Sequence, residues 1–261
     1  MSIITHKLIK GKSKIDDTEI PIGKDDSNIY TYSSKKGGNN SVSSTNISPI
    51  PYINIKSNQR SAIYISAISG SGKSTIARQI VDQIKLIKKP RLTILFTQSS
   101  DLDPVFEDLL KISEKSKKAS FVHVCLKSDE FLLALTPETL KDSLIVFDDY
   151  ENLPKDIEKF VLNLIKDLLE RGRKLNINLI LINHMTQNYN KTRSIIFECD
   201  TYILFPSTNQ NSVKKFLLNY ADLDKDQCKE MIDNSNEMFN FLLFRKTVPR
   251  YYMSKNIIKL F

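Results

Sequence analysis

Nine consecutive residues, Ala67-Ile-Ser-Gly-Ser-Gly-Lys-Ser-Thr75, have the types and spacing to hold a chain of phosphates. They match G-x-x-x-x-G-K-[ST], with Ala67 standing where the first glycine is usual. In such a loop Gly70 and Gly72 let the backbone turn its N–H groups inward toward phosphate oxygens. Lys73 reaches the β- and γ-phosphates, and Ser74 places a hydroxyl on Mg²⁺. A helix beginning here adds the positive end of its dipole. The cradle is then Ala67, Ser69, Gly70, Ser71, Gly72, Lys73, Ser74 and Thr75. Beyond residue 50 the chain has only three glycines, and two of them are in this run. Ala67 is the mildest replacement available, provided its φ stays negative.

A second chemical group follows at Leu144-Ile-Val-Phe-Asp-Asp149, an apolar run ending in two carboxylates. At the C-terminal edge of a sheet, Asp148 would hold Mg²⁺ through its water shell. The next residue is the usual place for the acid that orients or deprotonates an attacking water. Here it is Asp149, one methylene shorter than the commoner glutamate, with Glu151 a second candidate. A separate acid beside the metal-holding one implies an activated water, hence hydrolysis rather than transfer to a metabolite.

The elements that must position these groups alternate between strand and helix patterns, which predicts a mostly parallel sheet with helices on both faces. Strands are expected at Ala62–Ala67, Leu92–Thr97, Phe121–Leu126, Leu144–Asp149, Asn178–Asn183, Thr201–Phe205, Phe239–Phe244 and Tyr251–Met253. Helices are expected after the phosphate loop (Ile76, Ala77, Ile80, Val81, Ile84, Ile87), at Pro104–Ile112, at Asp129–Leu135, and over Ile157–Leu169. The last of these ends at Gly172. Val213–Tyr220 and Lys225–Asn234 complete the set. Residues 1–50 read as an N-terminal extension: Thr18–Tyr30 could form one short strand, and the Gly/Ser-rich stretch from Tyr32 to Asn46 is expected to be flexible. Residues 51–261 form the phosphate-loop domain.

Composition excludes several classes. The hydrophobic fraction of 41% and charged fraction of 26% are those of a soluble globular protein. No apolar run approaches the ~20 residues of a membrane span. The first residues lack an apolar core of signal-peptide length. Cys125, Cys199 and Cys228 are scattered, without metal-type spacing, which fits a reducing compartment and no disulfide framework. The net charge of +8 favours an acidic partner, nucleic acid first.

A third stretch, Glu170-Arg-Gly-Arg-Lys-Leu-Asn-Ile-Asn-Leu-Ile-Leu-Ile-Asn-His184, resembles the FtsK–HerA superfamily of DNA-pumping ATPases. Lys191-Thr-Arg-Ser, Glu198 and Tyr202-Ile-Leu-Phe-Pro206 make the resemblance closest to the poxvirus-type genome-packaging ATPases of large DNA viruses and virophages. The resemblance covers roughly residues 55 to 255. It implies a three-layer P-loop NTPase, RecA-like and of the additional-strand class, in which the strand ending at Asn183 lies between the P-loop strand and the acid-bearing strand. The residue at the end of that strand senses the γ-phosphate and is usually glutamine; here Asn183-His184 stand at that place, with Gln187 further on. His184 can donate a hydrogen bond to phosphate or to the attacking water. In a ring, a neighbour's arginine would complete each site: Arg173 is favoured, then Arg193, with Arg171 also a candidate. Arg171 and Arg173 equally suit a helix C-terminus.

The implied function is packaging of double-stranded viral DNA into a preformed capsid, driven by ATP and Mg²⁺. The partners would be DNA, capsid or portal-site proteins and further copies in a pentameric or hexameric ring, and the place a virion or a viral factory in host cytoplasm. Alternatives are a cellular or plasmid DNA translocase or helicase, a nucleotide-switched assembly ATPase that moves no DNA, and, more distantly, a metabolite kinase. For DNA contacts the basic stretches Glu114–Lys118, Asn188–Arg193 and Arg245–Arg250 are candidates.

Overall fold

In a computed structural model, residues 19–24, 29–33, 41–43, 60–115, 120–127, 135–151, 153–184, 189–238, 240–247, 250–254 and 257–260 are described. The strands are β1 Glu19–Lys24, β2 Ile29–Ser33, β3 Ser41–Ser43, β4 Ala62–Ser66, β5 Leu92–Thr97, β6 Phe121–Cys125, β7 Ser143–Asp148, β8 Asn178–Asn183, β9 Thr201–Leu204, β10 Leu242–Arg245, β11 Tyr251–Met253 and β12 Ile257–Leu260. The helices are α1 Lys73–Lys88, α2 Glu107–Lys115, α3 Lys155–Arg171, α4 Tyr189–Glu198, α5 Gln210–Tyr220 and α6 Lys225–Asp233, with a 3-10 turn at Pro104–Phe106 leading into α2.

One sheet runs β3-β12-β11-β10-β9-β4-β8-β7-β5-β6. From β9 to β6 the six strands are parallel. From β9 outward through β10, β11 and β12 to β3 the pairs are antiparallel. The expected insertion is present: β8 pairs with β4 on one side and with β7 on the other.

Side-chain alternation along the strands makes the three layers. Ile63, Ile65, Leu144, Val146, Ile180 and Ile182 meet Ala77, Ile80, Val81 and Ile84 of α1 and Leu109 of α2 on one face. Tyr64, Ile145, Phe147, Leu179 and Leu181 meet Val161, Ile165 and Leu168 of α3, with residues of α4, α5 and α6, on the other. A strand covered on both faces must be apolar throughout, and every residue of β8 is buried.

Several elements depart from the expectations. Two strands, β1 and β2, pair as an antiparallel hairpin where one was expected. Ser41–Ser43, inside the stretch expected to be flexible, pairs with β12 at the sheet's edge. The 10-residue helix α4 occupies most of the basic stretch Asn188–Arg193, for which no helix was expected. Its apolar residues, Ile195-Ile196-Phe197, are consecutive and leave no helical period to read. Gly172 ends α3 in right-handed conformation (φ −60, ψ −25) rather than the left-handed one. Its need is steric, since a Cβ there would collide with the carbonyl oxygen of Leu168. The helix expected at Asp129–Leu135 lies, but for Leu135, outside the described residues.

Phe147, wholly buried, stacks on Phe96 at 4.7 Å and immediately precedes the paired acids. Phe147→Ala should cost about 3–5 kcal/mol of stability, the range for emptying a buried aromatic site, and chemical denaturation followed by circular dichroism measures it.

Candidate active site

The phosphate loop leaves β4 at Ser66. The N–H of Ala67 donates to the Asn183 carbonyl at 3.3 Å, so the loop starts tied to β8. Ala67 is buried and keeps out of positive φ, which is why its methyl group is tolerated. Gly70 (φ +75) and Gly72 (φ +95) do adopt the left-handed region. A Cβ on either would meet no atom within 4 Å, so the requirement is backbone conformation and open space in front of the loop. The loop is closed by Ser71 Oγ and Lys73 Nζ, which donate to the Ile68 carbonyl at 2.8 and 3.0 Å. Helix α1 then begins without a side-chain cap and with no acid in its first turn. Its first N–H groups have no partner within the helix itself, the arrangement that favours an anion.

Strands β4, β7 and β8 end side by side, so their last residues converge. Ser69, Gly70, Gly72, Lys73, Ser74 and Thr75 line a cleft of 450 Å³ together with Asp103, Asp148, Asp149 and His184. The last four also line an adjoining cleft of 680 Å³, with Thr97, Gln98, Glu151 and Asn183 among its other walls. Lys73 Nζ lies 3.3 Å from His184 Nδ1, and His184 Nε2 lies 2.6 Å from Asp149 Oδ2. Asp149 Oδ1 is buried without a hydrogen-bond partner among the described residues. Asp149 itself sits at φ +52, a region that aspartate tolerates better than most residues.

Burial, and then the charge of Asp149, push the Asp148 carboxyl up to about 7, against the pull of Lys73. Burial lowers the pKa of Lys73, while Asp149 and Asp148 oppose it. Ser74 and Asp148 offer hard oxygen donors in one cleft. Among the described residues no group of three or more His, Cys, Asp or Glu forms a metal cage. That donor set suits Mg²⁺, which keeps several waters and binds through one or two protein oxygens plus phosphate.

Asp103 and Arg78 carried no motif in the sequence, and Asn183, read there only as part of the sensor pair, has a structural role as well. Asp103, in the turn after β5, lines both clefts and caps the following turn by accepting from the Val105 N–H at 3.0 Å. Arg78 of α1 holds that turn by donating to the Val105 carbonyl at 2.7 Å and pairing with Asp82 and Asp108. Asn183, wholly buried, has its Nδ2 within 3.2 Å of Tyr64 OH, 3.0 Å of Tyr150 OH and 3.3 Å of Glu151 Oε1. An Asp-Pro pair opening a helix was the one local signal for Asp103.

The arginines are not brought to this cleft. Helix α3 runs back from the acid-bearing end of β7 to the start of β8, so Arg171 and Arg173 lie at the opposite sheet edge from the phosphate loop. Both are exposed, and Arg171 pairs with Glu138. Arg193, exposed on α4, lies over the Phe197 ring at 5.7 Å. Of the basic stretches, Arg245 is buried beside the Tyr251 ring, and Arg250 donates to the Asp222 carbonyl at 2.9 Å, so both serve the fold. Residues 116–119 and 185–188, Gln187 among them, lie outside the described residues.

A parallel sheet with β8 inserted between the phosphate-loop strand and the acid-bearing strand, and a lysine-bearing loop leading into an uncapped helix, define a P-loop NTPase. The chain belongs to the AAA domain family, whose model matches residues 56–189, half of its length. It is an ATP-hydrolysing enzyme. It is 29% identical over 211 residues, 79% of each chain, to the uncharacterized protein V3 of Sputnik virophage. Its fold is similar to B204, the DNA-packaging ATPase from Sulfolobus turreted icosahedral virus, with a TM-score of 0.53 and 17% identity over 76% of this chain and 98% of that one. Among the described residues no helix is long and apolar enough to cross a membrane.

The raised carboxyl has a stability consequence. In the unfolded chain Asp148 ionises around 3.8, whereas in the fold it keeps its proton up to about 7. Without nucleotide and metal, stability should therefore fall as pH rises through that window, by up to about 1.4 kcal/mol per pH unit. Asp148→Asn should flatten this dependence and raise the melting temperature at pH 8 while removing hydrolysis; thermal denaturation across pH 4–8 measures it.

Proposed function

We propose that this chain is the motor subunit of a viral genome-packaging machine, hydrolysing ATP to drive double-stranded DNA into a preformed capsid. The observation that carries hydrolysis is the convergence of Lys73, Asp148, Asp149 and His184 on one cleft in front of the phosphate loop. Such a set serves a water nucleophile. DNA as the load is supported by the fold's likeness to a DNA-packaging ATPase over nearly all of that protein and by the net charge of +8, and the viral setting by the relative in a virophage.

In this reading, residues 51–261 are the motor domain and residues 1–50 an extension of it. The loop residues Ala67, Ser69, Gly70, Ser71, Gly72, Lys73, Ser74 and Thr75 receive the triphosphate of ATP. Ser74 and Asp148 would hold Mg²⁺, which would supply neutralisation of phosphate charge. Asp149 and His184 attend the attacking water, with Glu151 behind them. Arg173, or else Arg193, lies outside its own subunit's cleft and serves the neighbour's, in a ring of five or six copies that engages capsid or portal-site proteins. The motor would act in the virion or in a viral factory in the host cytoplasm.

Duplex DNA separates this reading from a nucleotide-switched assembly protein. ATP turnover should rise several-fold with linear duplex DNA, and turnover indifferent to DNA would overturn the translocase reading. Lys73→Ala should abolish turnover with and without DNA. Mixing inactive Arg173→Ala subunits with inactive Lys73→Ala subunits should restore part of the activity if the arginine acts across the interface; a mixture as inactive as its components would remove Arg173 from that role.

A further inference from the structure

The two acids that follow the metal-holding Asp148, Asp149 and Glu151, are each engaged by a neighbouring side chain. Asp149 Oδ2 is taken by His184 Nε2 at 2.6 Å, and Asp149 Oδ1 is buried with no partner among the described residues. Glu151 is half-buried, with its Oε1 3.3 Å from the Nδ2 of Asn183 and its main-chain carbonyl bonded by the Gln98 amide. The imidazole lies on the phosphate side. His184 is exposed, lines both clefts, and turns Nδ1 toward the Lys73 ammonium at 3.3 Å.

The tautomer follows from these partners. An ammonium has only protons to offer, so Nδ1 accepts from Lys73 and Nε2 carries the ring proton that it donates to Asp149. When Lys73 turns to the phosphates, Nδ1 is left as a bare acceptor on the cleft side, and the carboxylate behind holds the ring in that tautomer. The pair is pinned by main chain: the Asp149 N–H donates to the Ile182 carbonyl at 3.2 Å, and His184 follows Asn183, whose carbonyl accepts from Ala67.

We propose that His184 Nδ1 is the base that takes the proton of the attacking water, and that Asp149 is a positioning residue acting through it. This rests on the reading of the protein as an ATPase. One O–H bond of the water breaks and its proton passes to Nδ1. The hydroxide oxygen bonds to the γ-phosphorus, and the bond from that phosphorus to the β–γ bridging oxygen breaks, its electron pair staying with ADP. The imidazolium then returns its proton to the released phosphate. The shorter aspartate at position 149 is thereby accounted for, since the imidazole supplies the reach that a glutamate would otherwise give.

The test measures turnover of ATP and affinity for a fluorescent non-hydrolysable ATP analogue with the full chain. His184→Ala and His184→Gln should each lose about 10²–10⁴-fold in kcat, the scale of general-base catalysis, while still binding the analogue. Glutamine is the decisive replacement, because it can hydrogen-bond to water or phosphate but cannot carry a proton away. Asp149→Asn should lose a comparable amount, and the His184→Gln/Asp149→Asn double variant no more than the worse single, as for residues acting as a unit. Added imidazole should restore turnover to His184→Ala in proportion to its concentration. Wild-type kcat in His184→Gln, losses that multiply in the double variant, or no response to imidazole would overturn the base role and leave the ATPase reading intact. A wild-type protein that binds the analogue and hydrolyses nothing would overturn both.

Discussion

The backbone hydrogen bonds that β8 makes to β4 on one side and β7 on the other set how far the phosphate loop stands from the paired acids. The pairing runs past the strand ends: Ala67 donates to the Asn183 carbonyl, and Asp149 to that of Ile182. Lys73, Asp148, Asp149 and His184 thus come from three strand ends whose spacing is that of a sheet. Flexible loops could not hold four such groups in register. The cost of a strand buried on both faces is that it must be apolar throughout, and Leu179-Ile-Leu-Ile182 meets it, with Asn178 and Asn183 at the two ends.

Asn183 is the exception at the working end, a buried amide among Tyr64, Tyr150 and Glu151. Those contacts join the phosphate-loop strand to the turn after the acids. Its Oδ1 has no partner among the described residues. A buried polar group left partly unsatisfied is costly, and such costs collect where a site must change state. The electrostatics point the same way. Asp148 resists ionisation in the bare cleft, and Asp149 is held in left-handed backbone.

Much of this was legible in the residues because it rests on local pattern. The phosphate loop needs its two glycines and its lysine within a few residues. The apolar run before Asp148 is a buried strand on its face, and α3 shows its stripe from Val161 to Leu169. What was hidden is what arises between distant segments. The Lys73–His184–Asp149 contact joins residues up to 111 positions apart, and no spacing encodes it. Asp103 enters the site only because β5 lies beside β7. The helix α4 has no period, and β12 with β3 forms at the edge through pairing alone. Asp149 is one methylene shorter than the commoner glutamate; at φ +52 the shorter side chain suits the backbone, and the reach is made up from another strand.

Arg60, two residues before β4 begins, donates to the carbonyls of Leu168 and Leu169 near the end of α3. The chain is therefore clamped to the helix that follows the acids before it enters the strand that ends in the phosphate loop. A pull on the segment ahead of residue 60 divides between β4 and α3, and through them reaches both walls of the cleft together. Tension there would load the cleft as a whole rather than peel one strand from the sheet.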